Sequence, residues 1–205
     1  VLVTQYPAKE YWMHLAAAFG EMGQESNQLA AYEMAYAQGY LQSSTEIVLL
    51  CQLLLQAEVP YRAGVLLQKG LDNGTVTSNA NNWRLLSQAW ILAQENDAAI
   101  VSLGKAAELS DDGELYARIA QSYANLGQWE QSATAAGTAL DRGVKKPQEL
   151  QMMRGMAYYE LGQFTAAKAA FAEAQKSTQG RENASRWMAY VEREEKRLRE
   201  LGITP

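Results

Sequence analysis

Residues 154–174 read RGMAYYELGQFTAAKAAFAEA, and the spacing inside this stretch decides the fold. Its alanines, leucine, glutamates and lysine favour helix, yet it holds Gly155 and Gly162, seven residues apart. A glycine in a helix interior costs about 1 kcal/mol relative to alanine, so two of them need a reason. Tyr158, Phe164 and Phe171 follow at intervals of six and seven, interleaved with the small residues Ala167 and Ala174. Counted from Gly155, the pattern is small, aromatic at +3, glycine at +7, aromatic at +9, alanine at +12, aromatic at +16 and alanine at +19.

The pattern steps backwards along the chain. Thirty-five residues earlier stand Ala120, Tyr123, Gly127, Trp129, Ser132, Ala136 and Ala139. Another 33 back are Ser87, Trp90, Gln94, Asn96, Ala99, Leu103 and Ala106. A further 36 back are Cys51, Leu54, Glu58, Pro60, Ala63, Leu67 and Gly70, and 35 before those are Ala16, Phe19, Gly23, Glu25, Gln28, Tyr32 and Ala35. Five units share one register. The fit is weakest in the second, where Glu58 and Pro60 replace the usual turn residues, and in the first, where Gln28 fills an alanine slot.

This repeat resembles the tetratricopeptide repeat, a helix–turn–helix of about 34 residues with the pattern W-x2-L-G-x2-Y, then Ala, Phe and Ala. The first unit reads Trp12-x2-Leu15-Ala16-x2-Phe19, the third Trp83-x2-Leu86-Ser87-x2-Trp90, and the fifth Gly155-x2-Tyr158. The resemblance implies an all-α fold, a right-handed superhelix (an α-solenoid) of five helix pairs plus a C-terminal capping helix, as one domain over 1–205. Repeats are expected at about 9–42, 43–78, 79–111, 112–146 and 147–180, with the cap at about 181–201. Gly155 then stands where paired helices approach closely, and Gly162 closes the first helix in the left-handed conformation that glycine tolerates.

The expected helices run 9–22 with 26–38, 44–57 with 61–70, 80–93 with 97–109, 112–126 with 130–141, and 147–161 with 165–177. In the cap, Trp187, Val191, Leu198 and Leu201 form an apolar stripe, and Glu192–Lys196 and Glu195–Arg199 stand at the favourable i,i+4 spacing.

Composition excludes several classes. Of 205 residues 48% are hydrophobic, enough for a sizeable core, yet no run of about 18 apolar residues appears, so no membrane-spanning segment is expected. Residues 1–102 hold nine acids and four bases, and 103–205 hold fourteen of each; no broad basic footprint for nucleic acid results. A lone cysteine, Cys51, excludes an internal disulfide framework, and the single His14 cannot build a histidine metal site. Cys51 falls in the small slot of its unit and reads as packing. No phosphate loop, zinc-type cluster or nucleophile motif occurs, so no catalytic residue, metal or cofactor is expected and the chain reads as a non-enzyme. The start at Val1 suggests a processed or excised fragment.

In tetratricopeptide proteins the first helix of each pair lines a concave groove. That resemblance implies inner positions at Met13 and Ala17; Val48, Gln52 and Leu55; Asn81, Arg84, Gln88 and Ile91; Ala117, Gln121, Ala124 and Asn125; and Met152, Met156 and Tyr159. From these, Gln52, Arg84, Gln88, Gln121, Asn125, Met152, Met156 and Tyr159 are expected to bind a protein or peptide partner. Amides bond peptide backbone, methionines adapt to varied apolar side chains, and Arg84 is the one cation among these positions. No unit pairs Lys with Asn in the manner of the chaperone-binding members.

Two longer stretches, 35–76 with PYRAG at 60–64 and 105–133 with SDDGELY at 110–116, are similar to bacterial tetratricopeptide proteins associated with TonB transport systems. This narrower resemblance implies a periplasmic scaffold assisting TonB-dependent uptake of iron complexes in a Gram-negative envelope, with TonB-system components as partners. The alternative is a cytoplasmic or regulatory repeat module cut from a larger protein, catalytic or not.

Overall fold

The computed structural model describes residues 8–203, and in it the +7 position of every repeat has left-handed backbone. The φ angles are +66° at Gly23, +57° at Glu58, +63° at Gln94, +69° at Gly127 and +71° at Gly162. Behind each, the next residue's N–H bonds back to the carbonyl of the +3 position. The five bonds are Gln24 to Phe19, Val59 to Leu54, Glu95 to Trp90, Gln128 to Tyr123 and Gln163 to Tyr158, all at 2.8–2.9 Å. This bond across a left-handed residue satisfies carbonyls that a helix end would otherwise leave unpaired. The glycines at +7 are explained, and so is the register.

Eleven α-helices lie among the described residues, with no strand. They are α1 (Lys9–Glu21), α2 (Glu25–Ala37), α3 (Ser44–Gln56), α4 (Pro60–Asp72), α5 (Ala80–Leu92), α6 (Asn96–Glu108), α7 (Gly113–Asn125), α8 (Trp129–Arg142), α9 (Pro147–Glu160), α10 (Phe164–Gln175) and α11 (Arg181–Glu200). They divide between Glu95 and Asn96 into two compact units, α1–α5 and α6–α11.

Sequence chemistry starts several helices. Ser43 and Glu46 form a reciprocal capping box on α3, Asn79 accepts from the Asn82 N–H at the head of α5, and Asp112 accepts from Glu114 at the head of α7. Pro60 and Pro147 stand at the first position of α4 and α9, where the missing N–H leaves nothing unsatisfied. Helix α4 runs to Asp72 rather than stopping at the expected Gly70. That glycine is a packing residue: a Cβ on it would lie 2.6 Å from Val76 Cγ2, and the left-handed residue that follows the helix is Gly74.

Within the unit of α1–α5 the core is Leu41, Ile47, Leu50, Cys51, Leu54, Leu67, Val76 and Leu86. In the unit of α6–α11 the last repeat closes on Phe164, Ala167, Phe171, Ala174, Ala184 and Val191, with Met152, Tyr158, Tyr159, Trp187, Met188 and Leu198 packed around them. The small slot of every repeat is buried: Ala16, Cys51, Ser87, Ala120 and Gly155. Ala63, Ala99, Ser132 and Ala167 are buried as well, whereas Gln28 in the same slot remains partly exposed.

Helix α11 departs from expectation at two points. Val191 is buried and Trp187 and Leu198 pack on the cluster, but Leu201 is 60% exposed, because the helix has passed the end of the surface it covers. The expected pair of Glu195 with Arg199 forms, and Glu195 also takes the Lys168 ammonium of α10 at 2.8 Å. Lys196 reaches instead toward Glu200, at 3.8 Å, and no pair joins it to Glu192.

Candidate functional site

None of the eight expected partner-binding side chains is buried. In the first unit, Gln52 and Gln88 are exposed on α3 and α5, and Arg84 is partly exposed with its Nη1 3.5 Å from Asn81 Oδ1. In the second unit, Gln121 and Asn125 are exposed one turn apart on α7. The Gln121 amide donates to Asn125 Oδ1 at 2.9 Å, and Asn125 Nδ2 donates to Asn96 Oδ1 at 3.5 Å.

The apolar end of the expected groove is largely occupied by the fold itself. Met152 and Tyr159 pack against the buried cluster of the last repeat. The Tyr159 ring lies 5.8 Å from Phe164, 5.9 Å from Trp187 and 5.4 Å from Tyr190, and its hydroxyl donates to Tyr190 at 3.2 Å. That hydrogen bond, with burial and nearby acids, pushes the Tyr159 phenol up to about 12. Met156 is the member of this group that stays open, at 40% exposure.

A cleft of about 330 Å³ opens between α7 and α9. Ala117, Arg118 and Gln121 form the α7 side, Leu150 and Met153 the α9 side, and Val144 to Lys146 close one end. One ion pair forms inside it, and its other carboxylate, Glu114, is held by a backbone N–H and keeps its charge. Lys146 Nζ meets Glu149 at 2.8 Å, and the Glu114 carboxylate accepts the Lys145 backbone N–H at 2.7 Å. The side chains of Arg118 and Lys145 make no hydrogen bond or ion pair among the described residues. Two ready donors thus stand over an apolar floor. Ala117 and Gln121 were legible as inner positions; Arg118 was missed because it sits one place past such a position, and Lys145 because it falls between the expected helices 130–141 and 147–161.

Among the described residues no side chain suggests a reacting group. Burial pushes the Cys51 thiol up to about 12, which leaves it protonated and inert. His14 is exposed on α1, and among the described residues no group of three or more His, Cys, Asp and Glu is placed to hold a metal. No helix among them is long and apolar enough to cross a membrane.

The family model for the tetratricopeptide repeat matches residues 118–185 and 152–198. The fold as a whole is shared with solved tetratricopeptide-like structures. A crystal structure of MamA is 20% identical, with 82% of this chain and 90% of that one aligned at a TM-score of 0.65. A second MamA structure is 18% identical over 84% of this chain and 92% of that one, at 0.66. YrrB, described as a TPR protein with an unusual peptide-binding site, is 15% identical over 90% of this chain and 95% of its own, at 0.67. No curated protein matches the sequence significantly.

Proposed function

We propose that this chain is a non-catalytic scaffold that holds a peptide segment of a protein partner against the wall formed by α7 and α9. The observation that carries this reading is the pair of cationic donors, Arg118 and Lys145, whose side chains make no hydrogen bond or ion pair among the described residues, over the apolar floor of Leu150 and Met153. A carboxylate or backbone carbonyl placed there gains a charge-assisted hydrogen bond, which contributes about 1.5–3 kcal/mol when shielded. Gln121 and Asn125 offer amides to the backbone of the same segment, and exposed Met156 offers an adaptable apolar contact. In the first unit Gln52, Arg84 and Gln88 serve the same purpose on α3 and α5. The peptide-binding site described for YrrB, on a similar fold, supports the reading.

We further place the protein in the periplasm, as an accessory of TonB-dependent uptake. Support for this finer reading is the likeness of residues 35–76 and 105–133 to tetratricopeptide proteins of such systems.

Two experiments separate the levels. Among peptides selected from a displayed library of random 16-residue sequences on the full chain, one class should bind at least tenfold more weakly to an Arg118→Glu, Lys145→Glu variant whose melting temperature is unchanged. Undiminished binding by all selected peptides rules out the wall. Fractionation of the source cells, with growth of a deletion strain on chelated iron, tests the finer reading; a cytoplasmic location with normal growth refutes it.

A further inference from the structure

A second cleft, of about 440 Å³, lies in the other unit, between α2 and α4. Leu50 and Leu54 of α3, each 2% exposed, form its floor. Its α4 wall is unusually apolar for a solvated face: Tyr61 is 56% exposed and Val65, one turn on, is 47% exposed.

The repeats provide an internal control for what these positions need. The residues equivalent to Tyr61 are Ser26, Asp97, Glu130 and Thr165, polar in every other unit. Those equivalent to Val65 are Ala30, Val101, Thr134 and Ala169. Stacking helix pairs therefore does not require an aromatic ring at 61. Tyr61 meets Trp90 edge to face, at 5.8 Å between ring centres, and more than half of its surface remains in water.

The charges around the cleft have a direction. Arg62 Nη2 reaches across to Glu33 of α2 at 2.6 Å, so that pair is neutral. The side chain of Lys69, two turns from Arg62 on α4, makes no hydrogen bond or ion pair among the described residues. At the same repeat position Lys105 pairs with Glu108 at 3.1 Å, and Glu173 with Lys176 at 2.6 Å, each three residues on. The corresponding acid of α4 is Asp72, and it accepts instead from the Gln68 amide at 2.8 Å. One uncompensated cation is left at the end of an apolar furrow. From Tyr61 to Lys69 the furrow spans eight residues, about 12 Å of helix, or a little over two turns.

We propose that this cleft docks a short amphipathic helix of a partner protein, with two apolar side chains one turn apart over Tyr61 and Val65 and a carboxylate on Lys69. Helix-in-groove recognition reads such i, i+4 anchors, and the charge fixes which way the helix runs. This surface is separate from the wall of α7 and α9, so one chain offers two docking sites of different chemistry.

The test is selection from the same random 16-residue library on the full chain, followed by titration of the synthesised peptides. Peptides with paired apolar residues at i, i+4 and an Asp or Glu within the next turn are expected. Tyr61→Ser with Val65→Ala installs what the first repeat carries at these positions, so the fold is retained, and it should weaken these peptides at least tenfold. Lys69→Glu should weaken them too, and replacing the peptide's acid by lysine should recover binding to that variant. The proposal is overturned if no such peptide binds saturably, or if binding survives the double variant or depends on Arg118 instead. Sedimentation showing a dimer that the double variant converts to monomer also overturns it, since the occupant would then be a second copy.

Discussion

A Cβ on Gly155 would lie 2.5 Å from Cε1 of Phe171, whose ring is wholly buried against the turn of α9 where that glycine stands. The ring occupies the volume that a side chain at 155 would need, and Trp187 of α11 stacks on it at 5.7 Å. The cost of glycine in α9 is thereby offset by burial of an entire phenyl group, worth about 1.5–3 kcal/mol.

Gly155→Ala should therefore destabilise the protein by about 1–3 kcal/mol, the usual cost of overpacking. Smaller rings or chains opposite should relieve it, so Phe171→Leu should cost less in the Gly155→Ala background than in the native one. Urea unfolding of the four proteins checks the coupling. Strict additivity would show that the two residues do not compete for space.

The five left-handed turn positions predict opposite signs for equivalent changes. Gly127→Ala and Gly162→Ala force an alanine to φ near +70° and should each cost about 1 kcal/mol. Glu58→Gly and Gln94→Gly relieve that same strain and should leave stability unchanged or raise it by up to about 1 kcal/mol. Thermal unfolding measures all four. Equal losses in both sets would mean that these turns are not set by backbone conformation.

Acid should release the link between α1 and the head of α3. Burial raises the Glu46 carboxyl, but hydrogen bonds from Lys9, 2.5 Å away, and from Ser43 and Gln42 outweigh it and hold the group at about 2, down from an ordinary 4.5. A carboxyl depressed in the folded state contributes stability that is complete above about pH 4.5 and is lost as the pH falls toward 2. Glu46→Gln should accordingly be less stable than the native protein at pH 7 and equal to it near pH 2. A difference that stays constant over this range in urea titrations would refute the coupling.

The sequence by itself determined the number of helix pairs, their turns and the buried small positions, because each depends on residues less than about one repeat apart. A left-handed +7 position and a small residue five places beyond it are properties of one local hairpin, and five copies reinforce the reading. Even the misfits obeyed: Glu58, like Gln94, adopts the turn that glycine holds in the other three units, and Pro60 opens the next helix. What only the tertiary structure decided is which exposed side chains remain without partners. Met152 and Tyr159 were legible as inner positions, yet both pack on the buried cluster that α10 and α11 form, and Tyr159 meets the rings of Trp187 and Tyr190 some 30 residues later. Arg118, Lys145 and Lys69 carry no mark in the sequence that distinguishes them from paired cations such as Arg62 and Arg142, whose acids, Glu33 and Asp111, come from elsewhere in the chain. A charge is matched or left open according to which acids neighbouring elements bring within about 4 Å, and helical periodicity carries no record of that distance.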